Sequence, residues 1–124
     1  MIKHPIGIFI SGRGSNLNSI VNACKKQEFP AEIKVVFSNN KNAPGLSFAK
    51  ENNLEAITLD YNNFKNTEEY EEKIISLLKP YDLELICLAG YMKILSKKLI
   101  DYYPNKIINI HPSLLPKYKG LNTH

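Results

Sequence analysis

The sequence predicts a doubly wound α/β fold, a mainly parallel sheet with helices on both faces. Two observations predict it. Short apolar runs rich in β-branched residues alternate, five times over, with stretches whose apolar residues recur at helical spacing. The links between them are short. Each return to the next strand is therefore made by a helix, and a helical crossover makes neighbouring strands parallel.

The elements follow in order. Ile6-Gly7-Ile8-Phe9-Ile10 reads as a buried parallel strand, and Ser11-Gly12-Arg13-Gly14-Ser15 as a tight turn. From Asn16, the residues Leu17, Ile20, Val21 and Cys24 share one helical face, so a helix is expected to about Lys26. Ile33–Phe37 is the second strand, followed by a polar loop over Ser38–Ala43. Pro44-Gly45 opens a helix running from Leu46 to about Glu51, and Ala56–Leu59 is the third strand. Asn62–Asn66 reads as loop. Thr67 then starts a helix whose first turn carries Glu68 and Glu69, the charge the helix dipole favours there, and Pro80 ends it. Leu85–Leu88 is the fourth strand, Leu95–Tyr102 a short helix with Ser96 as its expected cap, and Lys106–Ile110 the fifth strand.

The 124 residues suit one domain with a real core, spanning 1–124. No apolar run approaches the roughly 18 residues a membrane helix needs. The first five residues lead straight into a strand, which does not suit a signal peptide. Cys24 and Cys87 fall on apolar faces and are expected to be reduced core thiols, so the expected compartment is the cytoplasm. The net charge of +4 is modest, and Arg13 is the only arginine. Lysines are scattered, often beside Glu. This argues against a nucleic-acid partner and leaves a mild pull on anionic small molecules.

In sheets of this class, ligands sit at the carboxyl ends of the strands. The turn Gly12-x-Gly14-Ser15-Asn16 delivers a strand to a helix N-terminus, where free N–H groups can meet a phosphate. It lacks the third glycine of a dinucleotide loop, since Leu17 stands there. It also lacks the lysine and spacing of a P-loop, and the second strand ends in Ser38-Asn39-Asn40 rather than an acid. The competing reading is a tight turn with no ligand. Asn109-Ile110-His111-Pro112-Ser113 closes the fifth strand, and alternation puts Asn109 and His111 on one side. An amide that can hold an oxyanion beside an imidazole that can move a proton suits acyl transfer, although a structural His–Asn pair has the same pattern.

Four motifs occur together: Ile10-Ser11-Gly12-x-Gly14-Ser15-Asn16-Leu17, Val36-Phe37-Ser38-Asn39, Leu88-Ala89-Gly90-Tyr91-Met92-Lys93-Ile94-Leu95, and Asn109-Ile110-His111-Pro112-Ser113-Leu114-Leu115-Pro116-Lys117-Tyr118-x-Gly120-Leu121. In this order and spacing the chain resembles the glycinamide ribonucleotide formyltransferase family along its whole length. The resemblance implies a Rossmann-like formyltransferase fold. It also implies formyl transfer from 10-formyltetrahydrofolate to the ribonucleotide amine in purine synthesis. It implies that Gly14, Ser15, Asn16, Leu17 and Asn18 hold the ribonucleotide phosphate. Met92, Lys93, Ile94 and Leu95 would line the folate pocket, Asn109 would bind the formyl oxygen and His111 would be the acid/base. Small molecules are the implied partners, with no metal, no nucleic acid and no membrane, in a monomer or homodimer.

Two departures stand out. Thr67 occupies the place of a basic residue that helps with the folate in the family, with Lys65 nearby. The family's catalytic aspartate and further strands lie beyond the Gly120 motif, so the chain is expected to be the N-terminal portion of that fold. Three readings compete. Methionyl-tRNA formyltransferase shares the Asn-x-His-x-Ser-Leu-Leu-Pro stretch but usually continues differently from Gly120-Leu121-Asn122-Thr123-His124. Formyltetrahydrofolate deformylase tends to differ at Pro112 and carries an N-terminal regulatory domain. The third is a non-catalytic module that binds a phosphate ligand.

Overall fold

The structure, a computed structural model, describes residues 2–13 and 15–110. Five strands form one sheet: β1 (His4–Ile10), β2 (Ala31–Ser38), β3 (Glu55–Thr58), β4 (Leu85–Leu88) and β5 (Ile107–Asn109). Their order is β3-β2-β1-β4-β5, and every pairing is parallel. Four α-helices make the crossovers: α1 (Ser15–Cys24), α2 (Pro44–Glu51), α3 (Thr67–Leu78) and α4 (Lys97–Tyr102). This is the doubly wound parallel sheet that the alternating pattern predicts.

Strand alternation sorts the side chains into two cores. Ile6, Ile8 and Ile10 of β1 point to one face and pack with Leu17 and Val21 of α1 and Leu46 and Ala49 of α2. Phe9 points to the other, with Tyr70, Ile74 and Leu78 of α3 and Leu99 of α4. The second core is rich in rings. The Phe9 and Phe37 centroids lie 4.9 Å apart, and Tyr91 meets Phe9 edge-on at 5.2 Å. Such tilted and edge contacts suit the ring quadrupoles. Burial, then the nearby Asp60, pushes the Tyr70 phenol up to about 12, so it stays neutral and donates to the Leu59 carbonyl at 2.7 Å.

In β2 the register passes from Ile6↔Ile33 to Gly7↔Val35, leaving Lys34 unmatched in a β-bulge. Ile33 and Val36 therefore share the α1/α2 face, and Val35 and Phe37 the α3/α4 face.

Some boundaries differ from those expected. β1 starts two residues early, at His4, whose N–H pairs with the Pro30 carbonyl at 2.7 Å. α1 stops at Cys24 rather than Lys26. Residues Tyr61–Asn63 form a 3₁₀ turn, because the Asp60 carboxylate accepts the Asn62 N–H at 2.9 Å. The cap of α3 is Asn66, one residue before Thr67; its amide oxygen accepts the Glu69 N–H at 2.8 Å. Glu69 reaches back in turn to the N–H of Lys65 at 2.8 Å. Leu95 lies outside the helix, and α4 begins at Lys97. Ser96 stands at the cap position, but its side chain makes no cap bond.

Candidate active site

The strand order reverses between β1 and β4, and the carboxyl ends on either side of that point meet in a hydrogen-bonded cluster. Ser11, just past β1, is its centre. Its Oγ donates to Asn39 Oδ1 at 2.6 Å and accepts the Met92 N–H at 2.7 Å. Asn40 Nδ2 donates to the Ser11 carbonyl at 3.3 Å. One hydroxyl thus ties the ends of β1 and β2 to the segment that follows β4. Ser38, fully buried, holds its own turn by exchanging hydrogen bonds with the Asn40 backbone at 3.0 and 3.1 Å.

The turn after β1 is braced by α2. The Gly45 N–H donates to the Gly12 carbonyl at 3.2 Å, and a Cβ at Gly45 would lie 3.0 Å from the Arg13 carbonyl and against the Ile10 side chain. Only glycine allows that approach. We predict that Gly45→Ala costs about 1–3 kcal/mol of stability, the cost of overpacking a close contact. Urea unfolding measures it, and an unchanged midpoint would count against the brace.

The residues expected to hold a phosphate divide. Gly14 lies outside the described residues, and Ser15 opens α1. Asn16 is half-buried in the first turn. Leu17 is fully buried in the α1/α2 core, so its side chain is a packing residue and only its backbone can serve a ligand. Asn18 is exposed, and its Oδ1 accepts from Asn22 Nδ2 at 3.4 Å, one helical turn on.

Beyond β4, Gly90 takes φ +80°, a conformation glycine adopts without strain. It leads the chain into an irregular segment from Tyr91 to Ser96, bent at Lys93, in which half-buried and exposed side chains alternate. Tyr91 and Leu95 pack inward on the ring cluster, and Lys93 Nζ stands 3.4 Å from the centroid of Tyr61. Met92 and Ile94 point outward, 79% and 86% exposed. Two large apolar side chains this bare form an exposed apolar patch beyond the carboxyl end of β4. Burial, then the neighbouring Tyr70 and Glu71, holds the Tyr91 phenol well above its ordinary range, so the ring beside this patch stays uncharged.

Asn109 ends β5 opposite Leu88, and its side chain is exposed. The Ile110 N–H donates to the Leu88 carbonyl at 2.9 Å, and Ile110 packs against the α1/α2 core while Ile107 packs against the other. Asn109 therefore lies on the opposite side of the strand from Ile110, as alternation predicts. His111 lies outside the described residues. Thr67 Oγ1 lies 3.1 Å from the Tyr61 hydroxyl, and the Tyr61 ring carries the Lys93 cation on its face. Among the described residues no group of three His, Cys, Asp or Glu side chains is placed to hold a metal ion. No helix there is long and apolar enough to cross a membrane.

One residue of the site escaped the sequence reading. Glu71 of α3 is only 2% exposed. Its Oε2 accepts the Ser96 N–H at 2.8 Å, and its Oε1 accepts the Leu99 N–H at 3.0 Å and the Ser96 hydroxyl. The signal was present: Glu71 sits three, four and seven residues before Ile74, Ile75 and Leu78, within their apolar stripe.

A parallel sheet with polar strand ends gathered at its point of reversal defines a ligand-binding domain of the doubly wound α/β class. Within that class the chain belongs to the formyl transferase family, whose model matches residues 5–124. It is 45% identical over 119 residues to the phosphoribosylglycinamide formyltransferase of Haemophilus influenzae, and 41% identical over 119 residues to that of Escherichia coli. Each match covers 96% of this chain and 56% of the relative, so the chain spans about half the length of these curated relatives. Among solved structures, phosphoribosylglycinamide formyltransferase from Brucella melitensis superposes with a TM-score of 0.86 at 41% identity, covering 98% of this chain and 64% of that one.

Proposed function

We propose that the chain carries the substrate-gathering part of a phosphoribosylglycinamide formyltransferase. In this reading the formyl group of 10-formyltetrahydrofolate passes to the amine of glycinamide ribonucleotide, a step of purine synthesis. The observation that carries it is the cluster around Ser11. It ties the end of β1 directly to the segment that bears Met92 and Ile94, which supports reading a phosphate subsite and an apolar subsite as neighbours at the strand ends.

The roles divide along that line. The loop from Gly14 to Asn18 receives the ribonucleotide phosphate at the N-terminus of α1, with Leu17 contributing backbone alone. Met92, Lys93, Ile94 and Leu95 form the wall for the folate. Asn109 donates to the formyl oxygen as charge grows there, and His111 carries the proton between the attacking amine and the leaving folate nitrogen. The named relatives support this choice over methionyl-tRNA formyl transfer and over deformylation, since each is called a phosphoribosylglycinamide formyltransferase.

The experiment is calorimetric titration of residues 1–124 with each ligand separately. Both should bind, glycinamide ribonucleotide through the loop and 10-formyltetrahydrofolate through the Met92–Leu95 segment. A folded chain that binds phosphate compounds and no folate would favour the non-catalytic module instead.

A further inference from the structure

We propose that Glu71 is a positioning residue for the folate wall, holding the Met92–Leu95 segment in its binding shape from beneath. The inference rests on the function proposed above, because it assumes that this segment meets the folate.

The bridge from Met92 to Ser96 is pinned at two points. At its start the Met92 N–H is held by Ser11 Oγ at 2.7 Å. At its end the Ser96 N–H is held by Glu71 Oε2 at 2.8 Å, and the Ser96 hydroxyl also donates to Glu71. Between the pins, Leu95 rests on the ring cluster and Lys93 on the Tyr61 face, which leaves Met92 and Ile94 facing out. The second pin reaches across from another element. Glu71 belongs to α3, and its grip continues to the Leu99 N–H in the first turn of α4.

A serine at a helix start normally caps the helix itself. Here Ser96 makes no such bond and its hydroxyl is given to the carboxylate. Burying a carboxylate costs far more than burying a neutral side chain, and the three donors compensate for it in a single geometry only. Such an arrangement fixes position as well as stability. It sets where the segment ends and α4 begins, and so which of its residues face outward. An apolar patch fixed before the ligand arrives loses less entropy on binding.

Glu71→Gln tests this. The shape is kept, but one of the two acceptor oxygens becomes an NH₂ that must face a donor. In residues 1–124, amide hydrogen exchange over 92–96 should speed up. The Kd for 10-formyltetrahydrofolate should rise about tenfold, the loss of one hydrogen bond to a charged group. The Kd for glycinamide ribonucleotide should stay within about twofold, since α3 packs on the opposite face of the sheet from α1; that threshold is one-fifth of the folate effect. Ser96→Ala, which removes only the hydroxyl and leaves both backbone donors, should weaken folate binding in the same direction by a smaller factor. It decides the question if Glu71→Gln does not fold. A parallel fall in both affinities together with the melting temperature would make Glu71 merely structural and overturn the proposal. Unchanged folate affinity with faster exchange would also overturn it. If the parent chain binds ribonucleotide but no folate, the reading of 92–95 fails, and that result appears before any variant is made.

Discussion

Asn109→Ala, made in a protein that carries the full formyltransferase domain, is expected to lower turnover about 10²–10³-fold, the usual cost of removing one donor to a developing oxyanion. Asn109 ends β5 with its side chain exposed, beside β4 and therefore beside the strand that leads into Met92–Leu95. A backbone fixed in a parallel ladder aims that amide without help from a flexible loop. The loss should appear in kcat and kcat/KM together, because the hydrogen bond strengthens only as the formyl oxygen gains charge. Affinity for glycinamide ribonucleotide should change little. Steady-state kinetics with each substrate varied in turn checks this, and near-normal turnover would remove Asn109 from the chemistry.

The second large effect is on stability. Phe37→Ala should cost about 3–5 kcal/mol, the range for emptying a buried aromatic site. Phe37 is 1% exposed and stands among Phe9, Tyr70 and Tyr91, with centroids at 4.9, 6.5 and 6.2 Å. Helices pack over this part of the sheet, so the hole cannot readily close. A domain of this kind holds roughly 5–15 kcal/mol in all, so the variant should be marginal. Ile57→Ala, on the half-buried edge strand β3, should cost clearly less. Urea unfolding of both compares them. Equal midpoints would show that the ring cluster is not the centre of the core.

Much of the fold was legible because its signals are local. The β-branched run at Ile6–Ile10, the Pro44-Gly45 helix start and the Leu85–Leu88 strand each declare themselves within a few residues. What was missed depends on distant partners. Nothing near Ser96 says that a carboxylate 25 residues away accepts its N–H, so α4 was drawn back to Leu95. Exposure is harder to read than element type. Leu17 belongs both to the loop motif and to the apolar face of α1, and it is fully buried as that face predicts, while Met92 and Ile94 are apolar and largely bare. Composition cannot separate those cases; the anchoring of the 92–96 segment at both ends does so. The Met92–Leu95 segment was legible as a motif but not as a shape.

The bulge at Lys34 bears on how this chain tolerates changes in length. Removing Lys34 would give the regular sequence Ile33-Val35-Val36-Phe37, with every buried side chain still on its present face. Removing Val36 instead would either turn Phe37 toward α1 and α2 or draw the Lys34 ammonium into the ring cluster, both severe. Two deletions of equal size, two positions apart, thus have opposite consequences. The first also leaves Ser38 and Asn39 at the strand end where Ser11 needs them. An inserted residue in β2 is harmless only where it can be stored as a kink, and in this strand that place is Lys34.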